Sequence, residues 1–90
     1  MLFVWLGFLK KGSEPDQQVQ RETTAFLQQP LIPIRAAGAL RDKEGKRAAM
    51  MMAFEADHRA DAEALVANSP YLRAGLYEQH DLFEFQDEVG

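Results

Sequence analysis

His80 and Glu78 are the residues of this chain whose types and spacing most readily suggest proton transfer. They stand two apart in a stretch that reads as a strand, so alternation puts both on one face, with Asp81 opposite. Packing or interface use of His80 is the plainer reading. His58, beside Asp57 at the start of a helix, reads as a surface residue. Met50-Met51-Met52 invites a ligand reading because methionine adapts to varied shapes. Strand alternation sends Met50 and Met52 to one face and Met51 to the other, so core and dimer packing accounts for all three. Trp5 lies in a central strand and can line a pocket, though core packing again leads.

The chain has no cysteine, which excludes a disulfide framework, a thiolate zinc site and a cysteine nucleophile. No His-x-x-His or carboxylate cluster has metal-ligand spacing, so neither metal nor other cofactor is expected. There is no glycine-rich phosphate loop and no nucleophile elbow. The net charge is -4. Arg41, Lys43, Lys46 and Arg47 form the one local basic run. Asp42 and Glu44 interrupt it, so it reads as a solvated turn rather than a phosphate site, and no nucleic-acid partner is expected. The apolar start, Met1–Leu9, is shorter than the roughly 20 residues of a membrane span. Its lysines follow the apolar run instead of preceding it, unlike a signal peptide. A cytoplasmic protein with no membrane partner is the expectation.

The elements that position these residues follow from pattern. Met1–Leu9 is a strand rich in β-branched and aromatic types. Ser13-Glu14-Pro15-Asp16 opens a helix, with Ser13 as cap, Asp16 at the capping-box spacing and Pro15 in the first turn. Val19, Thr23, Phe26 and Leu27 make its apolar stripe, and Pro30 ends it. Leu31–Leu40 is a second strand, which Pro33 assigns to a sheet edge. Asp42–Lys46 is a turn, and Arg47–Glu55 a third strand in hairpin with the second. Asp57 caps a second helix running to about Ala67, whose Ala60, Ala64 and Ala67 permit close approach to a sheet. Asn68-Ser69-Pro70 stops it, Tyr71–Gly75 is a turn, and Leu76–Gln86 is the last strand.

This β-α-β-β-α-β order predicts one α+β domain over residues 1–90, of ferredoxin-like topology, with a four-stranded antiparallel sheet. The first and third strands, central in that topology, are apolar almost throughout, so both their faces are buried. Two helices cover only one face of such a sheet. A second copy of the chain is the simplest cover for the other, and a homodimer is expected.

The segment Asn68-Ser69-Pro70-Tyr71-Leu72-Arg73-Ala74-Gly75-Leu76-Tyr77-Glu78 resembles the YCII-related family, whose members read Asp-Pro-Tyr/Phe, two variable residues, then Ala-Gly-Leu/Val-Tyr/Phe. Ala37-Gly38 adds a looser match. Pro70 ends a helix, Gly75 permits a tight turn into the strand, and Tyr71 and Tyr77 fill a corner. The resemblance implies a dimeric α+β barrel, two sheets packed face to face with a small pocket in each subunit. It also implies a general acid/base pair, a His on the first helix and the Asp of Asp-Pro. Counted back from Gly38, the His position falls on Arg21, and the Asp position is Ser69. Arginine does not lose its proton at working pH, and a serine without a neighbouring base is a poor acid or base. Arg21 and Ser69 therefore read as binding groups in the implied pocket, with Tyr71 and Trp5 beside them.

Two functions follow as expectations. One is a small-molecule-binding or accessory protein that takes a small anionic metabolite. The other is a lyase or isomerase acting on a small organic acid or aromatic compound, with His80 or Glu78 as its acid/base group. A pure interaction module is the third possibility.

Overall fold

The computed structural model describes residues 1–12, 16–29 and 33–89, apart from the side chain of Tyr71. The elements are β1 (Leu2–Leu9), α1 (Gln17–Leu27), β2 (Ile34–Arg41), β3 (Arg47–Glu55), α2 (Arg59–Ala67), α3 (Pro70–Arg73) and β4 (Tyr77–Phe85). The strands form one antiparallel sheet in the order β2-β3-β1-β4. This is the ferredoxin-like βαββαβ fold expected from the sequence, with β1 and β3 central and β2 at an edge.

The helix boundaries have local causes. Asp16 is the N-cap of α1, and its carboxylate accepts a hydrogen bond from the Val19 amide at 2.8 Å, satisfying one of the otherwise orphaned first-turn donors. Ser13, Glu14 and Pro15, expected to open this helix, and Pro30, expected to close it, lie outside the described residues, as do Leu31 and Ile32. The stripe Val19, Thr23, Phe26 and Leu27 faces the sheet, with Thr23 fully buried. The β2–β3 hairpin closes through Asp42, whose Oδ1 accepts from the amides of Glu44 at 2.9 Å and Lys46 at 3.0 Å. Gly45 supplies the positive φ, +82°, that this turn needs.

Four sequence expectations change in detail. The N-cap of α2 is His58 rather than Asp57, and its side chain makes no capping bond. The face that α2 turns to the core carries Ala62, Leu65 and Val66, not Ala60, Ala64 and Ala67, which are exposed. The i, i+3, i+4 set with the larger apolar side chains takes the core, as burial energetics requires. The Tyr71–Gly75 turn is in part a single helical turn, α3, which ends at Arg73 and is followed by Gly75 with φ +68°. Alternation along β4 is broken by a bulge: Phe8 pairs with Gln79 but Leu9 pairs with Tyr77. Glu78 is the unpaired extra residue, so the alternation that would set it on the same face as His80 does not hold.

Alternation along β1 divides the sheet. Phe3, Trp5 and Gly7 point to the helices with Met50, Met52 and Phe54 of β3. Phe3 and Phe54 are completely enclosed and stack with ring centroids 6.2 Å apart. Burial of side chains of this size is worth about 1.5–3 kcal/mol each. Leu2, Val4, Leu6 and Phe8 occupy the opposite face, level with Ala53, Met51 and Ala49 of β3 and with Phe83 and Phe85 of β4. Among the described residues no helix covers that face, and Phe8, Leu40, Phe83 and Phe85 stand 44–51% exposed on it.

Gly7 is fixed by packing. A Cβ there would lie 2.7 Å from Trp5 Cη2 and 2.8 Å from Tyr77 Cδ1. Both rings are held by the core, so neither can swing aside. Gly7→Ala is expected to lower unfolding free energy by about 1–3 kcal/mol, the cost of overpacking. Urea denaturation followed by circular dichroism checks it; an unchanged midpoint would refute the packing account.

Candidate functional site

A gap in the helix-side packing follows from small side chains on β2. Ala37 and Ala39 share the helix face of the sheet with their partners Met52 and Met50. Opposite them α1 offers Thr23, Phe26 and Leu27. Alanine methyls do not span that separation, and a cavity of about 240 Å³ remains between α1 and strands β1, β2 and β3. Trp5 and Ser69 close its inner end, and Gln20 and Arg47 also border it.

Walls are apolar apart from these few polar groups. Trp5 is 3% exposed and packs edge-on against Tyr77, with centroids 5.0 Å apart and planes at 86°. Ser69 is buried; its amide donates to Val66 O at 2.9 Å and its carbonyl accepts from Arg73 N at 3.1 Å. Those bonds fix the residue at the α2–α3 junction. Thr23 differs from its neighbour Thr24. The exposed Thr24 hydroxyl donates to Gln20 O one turn back at 2.9 Å, the usual outlet for a hydroxyl inside a helix. The Thr23 hydroxyl is buried and has no hydrogen-bond partner among the described residues. Such a group costs about 1–3 kcal/mol.

Arg47, the first residue of β3, is half-buried at the cavity's outer end. Among the described residues no carboxylate pairs with it, since Asp42 is held by turn amides and Glu44 lies 3.8 Å from Lys46. Among the described residues no imidazole or carboxylate lines the cavity.

The sequence-derived candidates are thereby sorted. The structure brings Trp5 and Ser69 together on one cavity. Arg21 lies outside it, exposed on α1, with its Nε donating to Gln17 O at 3.3 Å. The Tyr71 side chain lies outside the described residues. His80 lies on the far side of Trp5, in a separate shallow cleft between α2 and β4. Its Nδ1 accepts a long contact, 3.5 Å, from Trp5 Nε1. Glu78, at the bulge, is exposed. Sequence reasoning missed Thr23 and Arg47. A hydroxyl within an otherwise apolar stripe was a usable signal for Thr23; Arg47 was absorbed into a run that reads as a solvated turn.

No group of three or more His, Cys, Asp or Glu among the described residues could hold a metal ion. Among them, too, no helix is long and apolar enough to cross a membrane.

Comparison with known proteins agrees with the fold. No family model matches the chain, and no curated protein matches it in sequence. Among solved structures, the chain is similar to 5-chloro-2-hydroxyhydroquinone dehydrochlorinase from Burkholderia phenoliruptrix, determined in complex with 2,5-dihydroxybenzoquinone. The TM-score is 0.72 at 18% identity, over 96% of this chain and 94% of that one. It is also similar to Rv0793 from Mycobacterium tuberculosis, with a TM-score of 0.54 at 9% identity over 99% and 97% of the two chains. These likenesses establish the class, a ferredoxin-like α+β protein.

The Trp5–His80 contact is long and His80 is exposed, so it should contribute little. His80→Leu is expected to change unfolding free energy by less than about 1 kcal/mol, the scale of one net hydrogen bond. Guanidinium denaturation measures this, and a loss of several kcal/mol would show that His80 anchors Trp5.

Proposed function

We propose that this chain is a small-molecule-binding member of the YCII-related group, working as a homodimer. The observation that carries the reading is the cavity between α1 and the sheet: partly open, with apolar walls bordered by a few polar groups, the usual character of a ligand site. Its volume, about 240 Å³, falls below the roughly 300–1,000 Å³ of sites for drug-sized ligands. An apolar cavity of about 150 Å³ suffices for benzene. A ligand of one substituted ring, or an aliphatic body of that bulk, fits the space. The 2,5-dihydroxybenzoquinone bound by the dehydrochlorinase is of this size class.

Binding is favoured over general acid/base catalysis by the residues at hand. A lyase or isomerase of that kind needs a group that exchanges a proton near neutral pH. The cavity walls offer hydroxyls, an amide and a guanidinium, and arginine stays protonated. His80 and Glu78, the alternative acid/base groups, do not border the cavity. The Arg21 and Ser69 positions, where the YCII-related pattern has His and Asp, carry no such pair in this chain.

The uncovered sheet face supports the dimer. Leu6, Val4, Met51 and Phe83 would stand against water in a monomer, and contiguous apolar patches of this kind mark association surfaces. Asp81 and Gln79 lie on the edge strand β4, where a rim tolerates polar groups.

Two measurements test the proposal. Sedimentation equilibrium at micromolar concentration should return about twice the 10.2 kDa chain mass. Leu6→Asp should return the monomer mass, because an unpaired buried charge costs about 3–5 kcal/mol. A monomeric wild type would refute the dimer. Trp5 is the single tryptophan, so titration with single-ring compounds should change its emission saturably. No response to any of them would refute the cavity as a ligand site.

A further inference from the structure

The charge around the cavity opening specifies the ligand more closely. Arg47 borders both the cavity and a broad surface depression beside the β2–β3 turn; Gln20 is shared in the same way. Five cations line that depression, Lys10, Lys11, Arg41, Lys46 and Arg47, against the carboxylates of Asp42 and Glu44. The cavity mouth is thus locally positive on a chain whose net charge is -4. Such a field concentrates anions at the opening.

Most of these cations are already engaged. Lys10 Nζ donates to Gly75 O at 3.0 Å, Arg41 Nη1 to Gly45 O at 2.8 Å, and Lys46 lies 3.8 Å from Glu44. Arg47 has no acidic partner among the described residues and is the cation that also reaches the cavity. Beyond Arg47 the walls include Trp5, Leu27, Met50 and Met52.

From this arrangement we infer that the cavity takes a small carboxylate with a body the size of one ring. Its anion pairs with Arg47 at the mouth, and its body fills the space between the apolar walls. The inference rests on the reading of this cavity as a ligand site. A carboxylate suits Arg47 because the guanidinium fork offers two parallel donors. An uncharged apolar ligand would leave Arg47 without a partner, and a free inorganic anion would leave the apolar walls unfilled.

The test uses benzoate and benzyl alcohol, titrated calorimetrically into the wild type, Arg47→Gln and Arg47→Lys. Benzoate is expected to bind the wild type roughly tenfold or more tighter than benzyl alcohol, the scale of a charge-assisted hydrogen bond. Arg47→Gln should abolish that preference while still binding benzyl alcohol, and Arg47→Lys should restore part of it. Equal wild-type affinity for benzoate and benzyl alcohol would overturn the inference while leaving the cavity a ligand site. So would an Arg47→Gln protein that loses both ligands equally, which is the mark of a structural role. Failure of every probe to bind would overturn the underlying reading as well.

Discussion

Apolar side chains on both faces of β1 are the constraint on which the remaining structure depends. Phe3 and Trp5 point one way and Leu2, Val4, Leu6 and Phe8 the other, in a strand held between β3 and β4. The helices α1 and α2 answer the first set. Nothing in the chain's described residues answers the second, although β3 and β4 extend it with Met51, Ala53, Phe83 and Phe85. A chain of this size has little apolar surface to spare, and this uncovered apolar face is the basis of the proposed association. The proposed dimer and the cavity are consequences of one alternation, on opposite sides of the same sheet.

The cavity arises from a mismatch rather than from a dedicated loop. Bulky residues on β1 and β3 fill the core beneath α2 and the centre of the sheet, while β2 contributes alanines. α1 cannot collapse onto those alanines, because Phe26 and Leu27 already rest on the core. Trp5 is the shared wall: one side borders the cavity, and the other borders the cleft that holds His80. Gly7 makes room for its ring system, which is why the one residue without a side chain in β1 lies between Trp5 and Tyr77.

Much of this was legible in the sequence. Period-two and period-3.6 patterns located every strand and both longer helices, Pro33 marked β2 as the edge strand, and Gly45 and Gly75 marked their turns. The misses share a cause: each depends on a register or rotation that local pattern does not encode. The bulge at Glu78 is fixed by pairing with β1, so alternation alone coupled Glu78 to His80. The inward face of α2 is chosen by volume, so Leu65 and Val66 take the core with Ala62 and leave Ala60, Ala64 and Ala67 outside. The candidate site was less legible than the fold. Trp5 and Ser69 line one cavity, but Arg21 was assigned by counting from Gly38, and one helical turn suffices to carry a side chain from the sheet to solvent. Arg47 was hidden in a charged turn because its partners, or lack of them, exist only in three dimensions.

The three consecutive methionines allow the central claim, that both faces of this sheet are covered, to be read in one measurement. With methyl-labelled methionine, a soluble paramagnetic probe broadens each ε-methyl signal according to its access to solvent. Met50 and Met52 point to the helices and Met51 to the uncovered face. The account predicts that at concentrations where the dimer forms, all three methyls are protected, with Met51 as sheltered as Met52. Strong broadening of Met51 alone would contradict it, leaving β1 with an apolar face in water and the fold with no explanation for it.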